Sequence, residues 1–123
     1  MAAMRVGIDL IEIDRVARAL VRHPRFIERV FTAAEREYCL SRANPPQHFA
    51  ARFAGKEAVG KALGFGVPFT WREIEIVGRP KPGVSLSGRT AAFAERVQAG
   101  PIDLSMTHSR EIAAAIAVVS PRD

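Results

Sequence analysis

The feature that most constrains how this chain folds is its central run, residues 49–62. Phe49 and Phe53, and Ala50, Ala54 and Ala58, recur at helical spacing, which places Glu57 and Lys61 four apart on one helical face. Pro45-Pro46 separates this long helix from an earlier one, which Thr32-Ala33-Ala34-Glu35 opens with the pattern of a capping box.

Ahead of these helices, Val6, Ile8 and Leu10 alternate with Arg5, Gly7 and Asp9, the period of a strand. Asp9 therefore lies on the face opposite the apolar set, on a rigid strand end. Ile102, Leu104 and Met106 alternate with Asp103, Ser105 and Thr107, which predicts a half-buried strand with Thr107, His108 and Ser109 at its exposed end. Residues 112–119 are apolar enough for a buried strand. Gly78-Arg79-Pro80-Lys81-Pro82-Gly83 reads as a turn between two strand-like runs. The order strand, helix, helix, long helix, strand, strand, helix, strand, strand belongs to the α+β class. With 123 residues, 48% of them hydrophobic, the chain supports one core and is read as a single domain, 1–123.

Asp9 and Glu57, from different elements, form a pair able to clamp one divalent cation. Hard carboxylate oxygens suit Mg²⁺, which keeps several waters and takes one or two protein carboxylates, with substrate phosphates completing its shell. Two plainer readings stand beside this one. Glu57 and Lys61 also make an ordinary helix salt bridge, contributing ~0.2–0.5 kcal/mol. Asp9 also reads as the cap of a helix beginning near Ile11. Residues 55–62 spell G-x-x-x-x-G-K-A, but this is no phosphate-binding P-loop. Ala62 lacks the hydroxyl that such a loop presents to Mg²⁺, and the preceding residues are helical in pattern.

Taken in order, these segments resemble the holo-[acyl-carrier-protein] synthases, the small bacterial 4'-phosphopantetheinyl transferases. The resemblance rests on Gly7-Ile8-Asp9 with Glu12 and Arg15, then Arg25-Phe26 through Arg29, Phe31-Thr32 and Glu35. It continues through Ala51-Arg52-Phe53-Ala54, Lys56-Glu57-Ala58, Lys61-Ala62, Ile74-Glu75-Ile76, Gly78-Arg79-Pro80 and Ser105-Met106-Thr107-His108. It implies a mostly antiparallel sheet packed against the long helix. The implied reaction is Mg²⁺-dependent transfer of phosphopantetheine from coenzyme A to a serine of apo acyl carrier protein, releasing adenosine 3',5'-bisphosphate.

Carried over residue by residue, Asp9 and Glu57 hold the metal, Lys61 reaches the diphosphate, and Glu57, directly or through a metal-bound water, is the base candidate. Arg52, Lys56, Lys61, Arg79, Pro80, Thr107 and His108 are expected along coenzyme A. The family's trimeric assembly implies a homotrimer with active sites between subunits. Gly55 and Gly60 depart from the pattern, since each glycine inside a helix costs about 0.5–1 kcal/mol relative to alanine. Gly60 either admits close approach by a ligand or is a tolerated imperfection.

Arg15, Arg18 and Arg22 recur at helical spacing, and Arg25 and Arg29 continue the basic run past Pro24. The balance of 18 Lys plus Arg against 13 Asp plus Glu, a net charge of +5, favours an acidic partner. Arg15, Arg18, Arg22 and Arg25 are thus the expected docking surface for an acidic carrier protein, the plainer reading being a solvated charged face. The competing reading of the whole chain is a noncatalytic basic module for acidic protein or nucleic acid. Aromatic content is 7% and unpatterned, which disfavours nucleic acid. Trp71, Tyr38 and the phenylalanines other than Phe53 read as packing, and His23 and His48 carry no functional signal. The lone Cys39 excludes an intramolecular disulfide framework, and without clustered partners it makes no zinc site. With no apolar stretch near the roughly 20 residues that span a bilayer and no signal-peptide layout, the expectation is a cytoplasmic protein without a membrane partner.

Overall fold

The computed structural model describes residues 3–65, 70–78 and 81–122. The chain runs β1 (Arg5–Glu12), α1 (Ile13–Arg22), α2 (Pro24–Val30), α3 (Ala33–Leu40), α4 (Pro45–Leu63), a 3₁₀ turn (Trp71–Glu73), β2 (Ile74–Val77), β3 (Gly83–Leu86), α5 (Gly88–Arg96), β4 (Ala99–His108) and β5 (Ile112–Pro121). The α+β expectation holds, with one helix added. Pro24 occupies the first turn of α2, where its missing N–H costs nothing, so the proline that seemed only to interrupt a basic run starts a new helix.

Strands β1, β5 and β4 pair antiparallel in that order, and β2 pairs antiparallel with β3 as a separate ribbon. The apolar tail β5 is thus the middle strand. Helix α4 crosses the sheet at the centre of the molecule, with 12 of its 19 residues buried. Its stripe Ala54, Ala58, Ala62 joins one core cluster with Ala115 and Ala117 of β5. A second cluster gathers Val16, Phe31, Phe49 and Ala113. The prolines at 45 and 46 open α4, and Gly64 closes it at φ 108°, a left-handed conformation that suits glycine.

Asp9 does lie opposite the apolar set of β1, but the faces are reversed from the usual arrangement. Gly7 and Asp9 turn toward α4, whereas Val6, Ile8 and Leu10 are 59%, 60% and 65% exposed. Ile8 lies opposite Ile116, itself 39% exposed, so an apolar patch covers the outer face of the sheet.

The close seat of α4 on β1 requires Gly7. A Cβ there would fall 1.9 Å from the Ala58 carbonyl oxygen and 2.7 Å from the Ala62 nitrogen. Gly55 is different: its Cβ would meet Ile76, Met106 and Leu104 at 3.5–3.6 Å, an ordinary contact.

Candidate active site

β1 and α4 bring Asp9, Glu57 and Lys61 together. The Glu57 and Asp9 carboxyl groups are neighbours that line one cavity, close enough for each to feel the other's charge. Lys61 Nζ donates to the Ile8 carbonyl at 3.0 Å and lies 3.3 Å from Asp9 Oδ1. Neither plainer reading survives. Lys61 reaches across to β1 rather than along its own helix, and Asp9 caps nothing, since β1 continues to Glu12 and α1 begins at Ile13. The G-x-x-x-x-G-K-A stretch lies inside α4, as its pattern required.

Asp9 and Glu57 open onto a cavity of about 600 Å³, whose wall includes Arg15, Arg18, Arg22, Phe26 and Phe53. Partial burial first, and the adjacent Asp9 second, push the Glu57 carboxyl above its ordinary value, while Lys61 and Arg15 pull it back. Two neighbouring carboxyl groups beside an open cavity form a donor pair that a hard divalent cation would fit. Among the described residues no cluster of three or more metal-ligating side chains exists. Phe26 stands 6.0 Å from Phe53, which stacks on Trp71 at 4.8 Å. Phe26, part of the family resemblance but read only as packing, stands in the wall because of how α2 packs.

Arg52, Thr107 and His108 meet in a second pocket of about 180 Å³, together with Tyr38, His48 and Gly78. The Arg52 guanidinium lies over the Tyr38 ring at 4.1 Å, and its buried Nε has no hydrogen-bond partner among the described residues. Arg52 brings a fixed positive charge to the lining of this pocket. His48 was given no role from sequence, yet it lines this pocket beside Tyr38. Its pKa is lowered by burial first, then by Arg52, Arg42 and His108. Among the described residues the pocket shares no lining residue with the Asp9–Glu57 cavity. Arg79 and Pro80, expected beside coenzyme A, lie outside the described residues.

Lys56 departs from its expected place along coenzyme A. It is fully buried, with Nζ donating to Glu35 Oε1 at 2.7 Å and to the carbonyls of Trp71 and Ile74. All three N–H groups are used inside the fold, so none is left for a phosphate. Cys39 is equally inert: burial pushes its thiol up to about 12. Arg22 and Arg25 line a recess with His23, Pro24, Phe26 and Arg29, and Arg18 pairs with Asp14 on its own helix.

A family model for the 4'-phosphopantetheinyl transferase superfamily matches residues 5–117. The chain is 47% identical over 121 residues to the holo-[acyl-carrier-protein] synthase of Moorella thermoacetica, covering 94% of this chain and 93% of that one. Its fold superposes on the ACPS–CoA complex of Chronobacterium ammoniagenes with a TM-score of 0.83 at 30% identity, covering 98% and 99% of the two chains. The Bacillus anthracis holo-(acyl-carrier-protein) synthase in complex with CoA (3',5'-ADP) gives 0.79 at 30% identity, covering 98% and 99%. The chain belongs to the 4'-phosphopantetheinyl transferase superfamily, among the holo-[acyl-carrier-protein] synthases.

Proposed function

We propose that residues 1–123 act as one domain that transfers 4'-phosphopantetheine from coenzyme A to a serine hydroxyl of an apo acyl carrier protein. The reaction depends on Mg²⁺ and releases adenosine 3',5'-bisphosphate. The observation that carries this reading is the pairing of Asp9 and Glu57, from different elements, at one open cavity in a chain of this family.

Asp9 and Glu57 hold the cation. When bound, Mg²⁺ neutralises charge on the diphosphate and on the leaving group. The ammonium of Lys61, half exposed beside Asp9, lies where it can pair with the same diphosphate. Glu57, directly or through a bound water, is the group placed to take the proton of the attacking serine. Arg52, Thr107 and His108 hold the nucleotide phosphates, with Arg79 and Pro80 alongside.

The two halves of this site open into different pockets of one chain, and the outer sheet face is apolar. Both facts support a homotrimer in which coenzyme A spans Asp9 and Glu57 of one copy and the Arg52 pocket of the next. Thr107 aligns with Ala114 and Leu10 across the sheet, on the same side as Val6 and Ile8. A copy packed against that apolar face therefore lies beside Thr107.

Arg15, Arg18, Arg22 and Arg25 receive the acidic carrier protein, and the first three stand in the wall of the cavity where its serine must arrive. The protein works in the cytoplasm, with neither membrane nor nucleic acid as partner. Among the described residues no helix is long and apolar enough to cross a membrane.

The test is chromatographic detection of adenosine 3',5'-bisphosphate from coenzyme A, apo carrier protein and Mg²⁺. Product formation is expected with the wild type and is lost on chelation or with Asp9→Ala. Full turnover by Asp9→Ala contradicts the assignment.

A further inference from the structure

The fully buried pair Lys56 and Glu35 takes no part in the chemistry proposed above, yet Lys56 directly precedes Glu57. Glu35 Oε1 accepts from Lys56 Nζ and from the Thr32 N–H at 2.9 Å, and Oε2 accepts from the Ile76 N–H at 2.8 Å. With the Trp71 and Ile74 carbonyls on Lys56, these bonds tie α3, α4 and β2 at one point.

Burying a lysine and a glutamate to this depth is a poor route to stability, because a well-packed apolar pair usually does as well or better. What an ion pair adds is direction. One strip of α4 against the middle strand is alanine on alanine, Ala54, Ala58 and Ala62 near Ala115 and Ala117, beside larger residues such as Val59 and Leu63. Such a strip has little relief to stop the helix from rolling about its axis. Gly7 sets how closely α4 approaches β1. Successive helical residues differ by about 100° in direction, so fixing Lys56 on one side fixes where Glu57 points on the other.

We propose that the buried Lys56–Glu35 pair is a positioning lock for the active site. It fixes the rotation of α4 so that Glu57 and Lys61 stay aimed at Asp9, and Lys56 contacts neither coenzyme A nor metal. This inference rests on the metal-dependent transferase reading.

The test is the double variant Lys56→Met/Glu35→Leu, which replaces the pair with apolar side chains of similar size. Its melting temperature is expected to stay near that of the wild type, showing a folded protein. Its kcat should fall about 10–100-fold, and KM for coenzyme A should rise with it, because Lys61 and Arg52 ride on the same helix. Mn²⁺ titrated into the protein alone, followed by loss of the free-ion electron paramagnetic resonance signal, should bind about tenfold or more weakly.

A purely structural pair predicts the opposite for that folded variant, wild-type kcat and wild-type Mn²⁺ binding, and this result overturns the proposal. Glu35→Gln carries the test if the double variant does not fold. Its carboxamide cannot accept from Ile76 while also serving Lys56 and Thr32, so the same losses in smaller measure are expected, and their absence overturns the lock. The wild type run alongside separates the two claims. No transfer by the wild type removes the transferase reading, whereas a transferring wild type with unaffected variants removes only the lock.

Discussion

Replacing Gly7 by alanine should damage both the fold and the reaction. The new Cβ would sit 1.9 Å from the Ala58 carbonyl oxygen and 2.7 Å from the Ala62 nitrogen. Both are backbone atoms of α4, so no side-chain rotation relieves the clash. Reaching even a tight contact requires α4 to retreat from β1 by about 1 Å. Overpacking of this kind costs about 1–3 kcal/mol, and a backbone clash belongs at the upper end. The Lys61 bond to the Ile8 carbonyl stretches with it, so the melting temperature should fall by about 10 °C in a chain of this size. Because Glu57 and Lys61 ride on α4 while Asp9 stays on β1, the same shift should lower the transfer rate by about 10²-fold. Thermal unfolding by circular dichroism and initial rates well below both transitions measure the two effects. Gly55→Ala in the same helix is the control. Its Cβ meets neighbours at ordinary distances, so it should stabilise by about 0.5–1 kcal/mol and leave the rate unchanged. Near-wild-type stability and rate for Gly7→Ala would show that close seating of α4 does not set the site.

Further outcomes follow from the same geometry. Glu57 has a folded-state pKa raised above its ordinary value of 4.5, so its contribution to stability is present below that value and lost as pH rises through the raised one. Without divalent cations, wild-type melting temperature should therefore drop relative to Glu57→Gln as pH rises from the acid range to neutrality. Added Mg²⁺ should raise only the wild type, and parallel curves refute the paired-carboxylate reading. Arg22→Glu with Arg25→Glu should raise KM for carrier protein about tenfold or more and leave coenzyme A affinity nearly unchanged; equal losses for both substrates would argue against the docking face. Arg52→Ala should weaken coenzyme A binding by calorimetry about tenfold or more while sparing KM for the carrier. Ile8→Glu places a charge on the exposed apolar face of the sheet, so light scattering should find monomers that have lost activity. An intact, active assembly would locate the subunit interface elsewhere.

Much of this was legible because the local periods are strong. The alternation in β1 put Asp9 opposite Val6, Ile8 and Leu10, and the helical spacing of α4 put Glu57 and Lys61 on one face. The capping box at Thr32 and Glu35 forms as its spacing demands. What stayed hidden was tertiary. Period alone does not say which face of a strand is covered, and in β1 it is the polar face that meets α4. Lys56 lies one residue from Glu57 and looks equally available for phosphate, but a 100° turn of the helix sends it into the core toward Glu35. That partner lies 21 residues away, and no local pattern links the two. Helix α2 was missed because Pro24 reads as a break until its position in a first turn is seen. Tyr38 and His48 join the Arg52 pocket only through the packing of α3 on α4.

Intact-mass spectrometry of an apo acyl carrier protein, incubated with this protein, coenzyme A and Mg²⁺, addresses the central claim most directly. The expected result is a mass gain of one phosphopantetheine group on the carrier, abolished by a chelator and restored by excess Mg²⁺. No gain on any of a panel of fatty-acid and polyketide carriers, under conditions where the protein is folded, would contradict it.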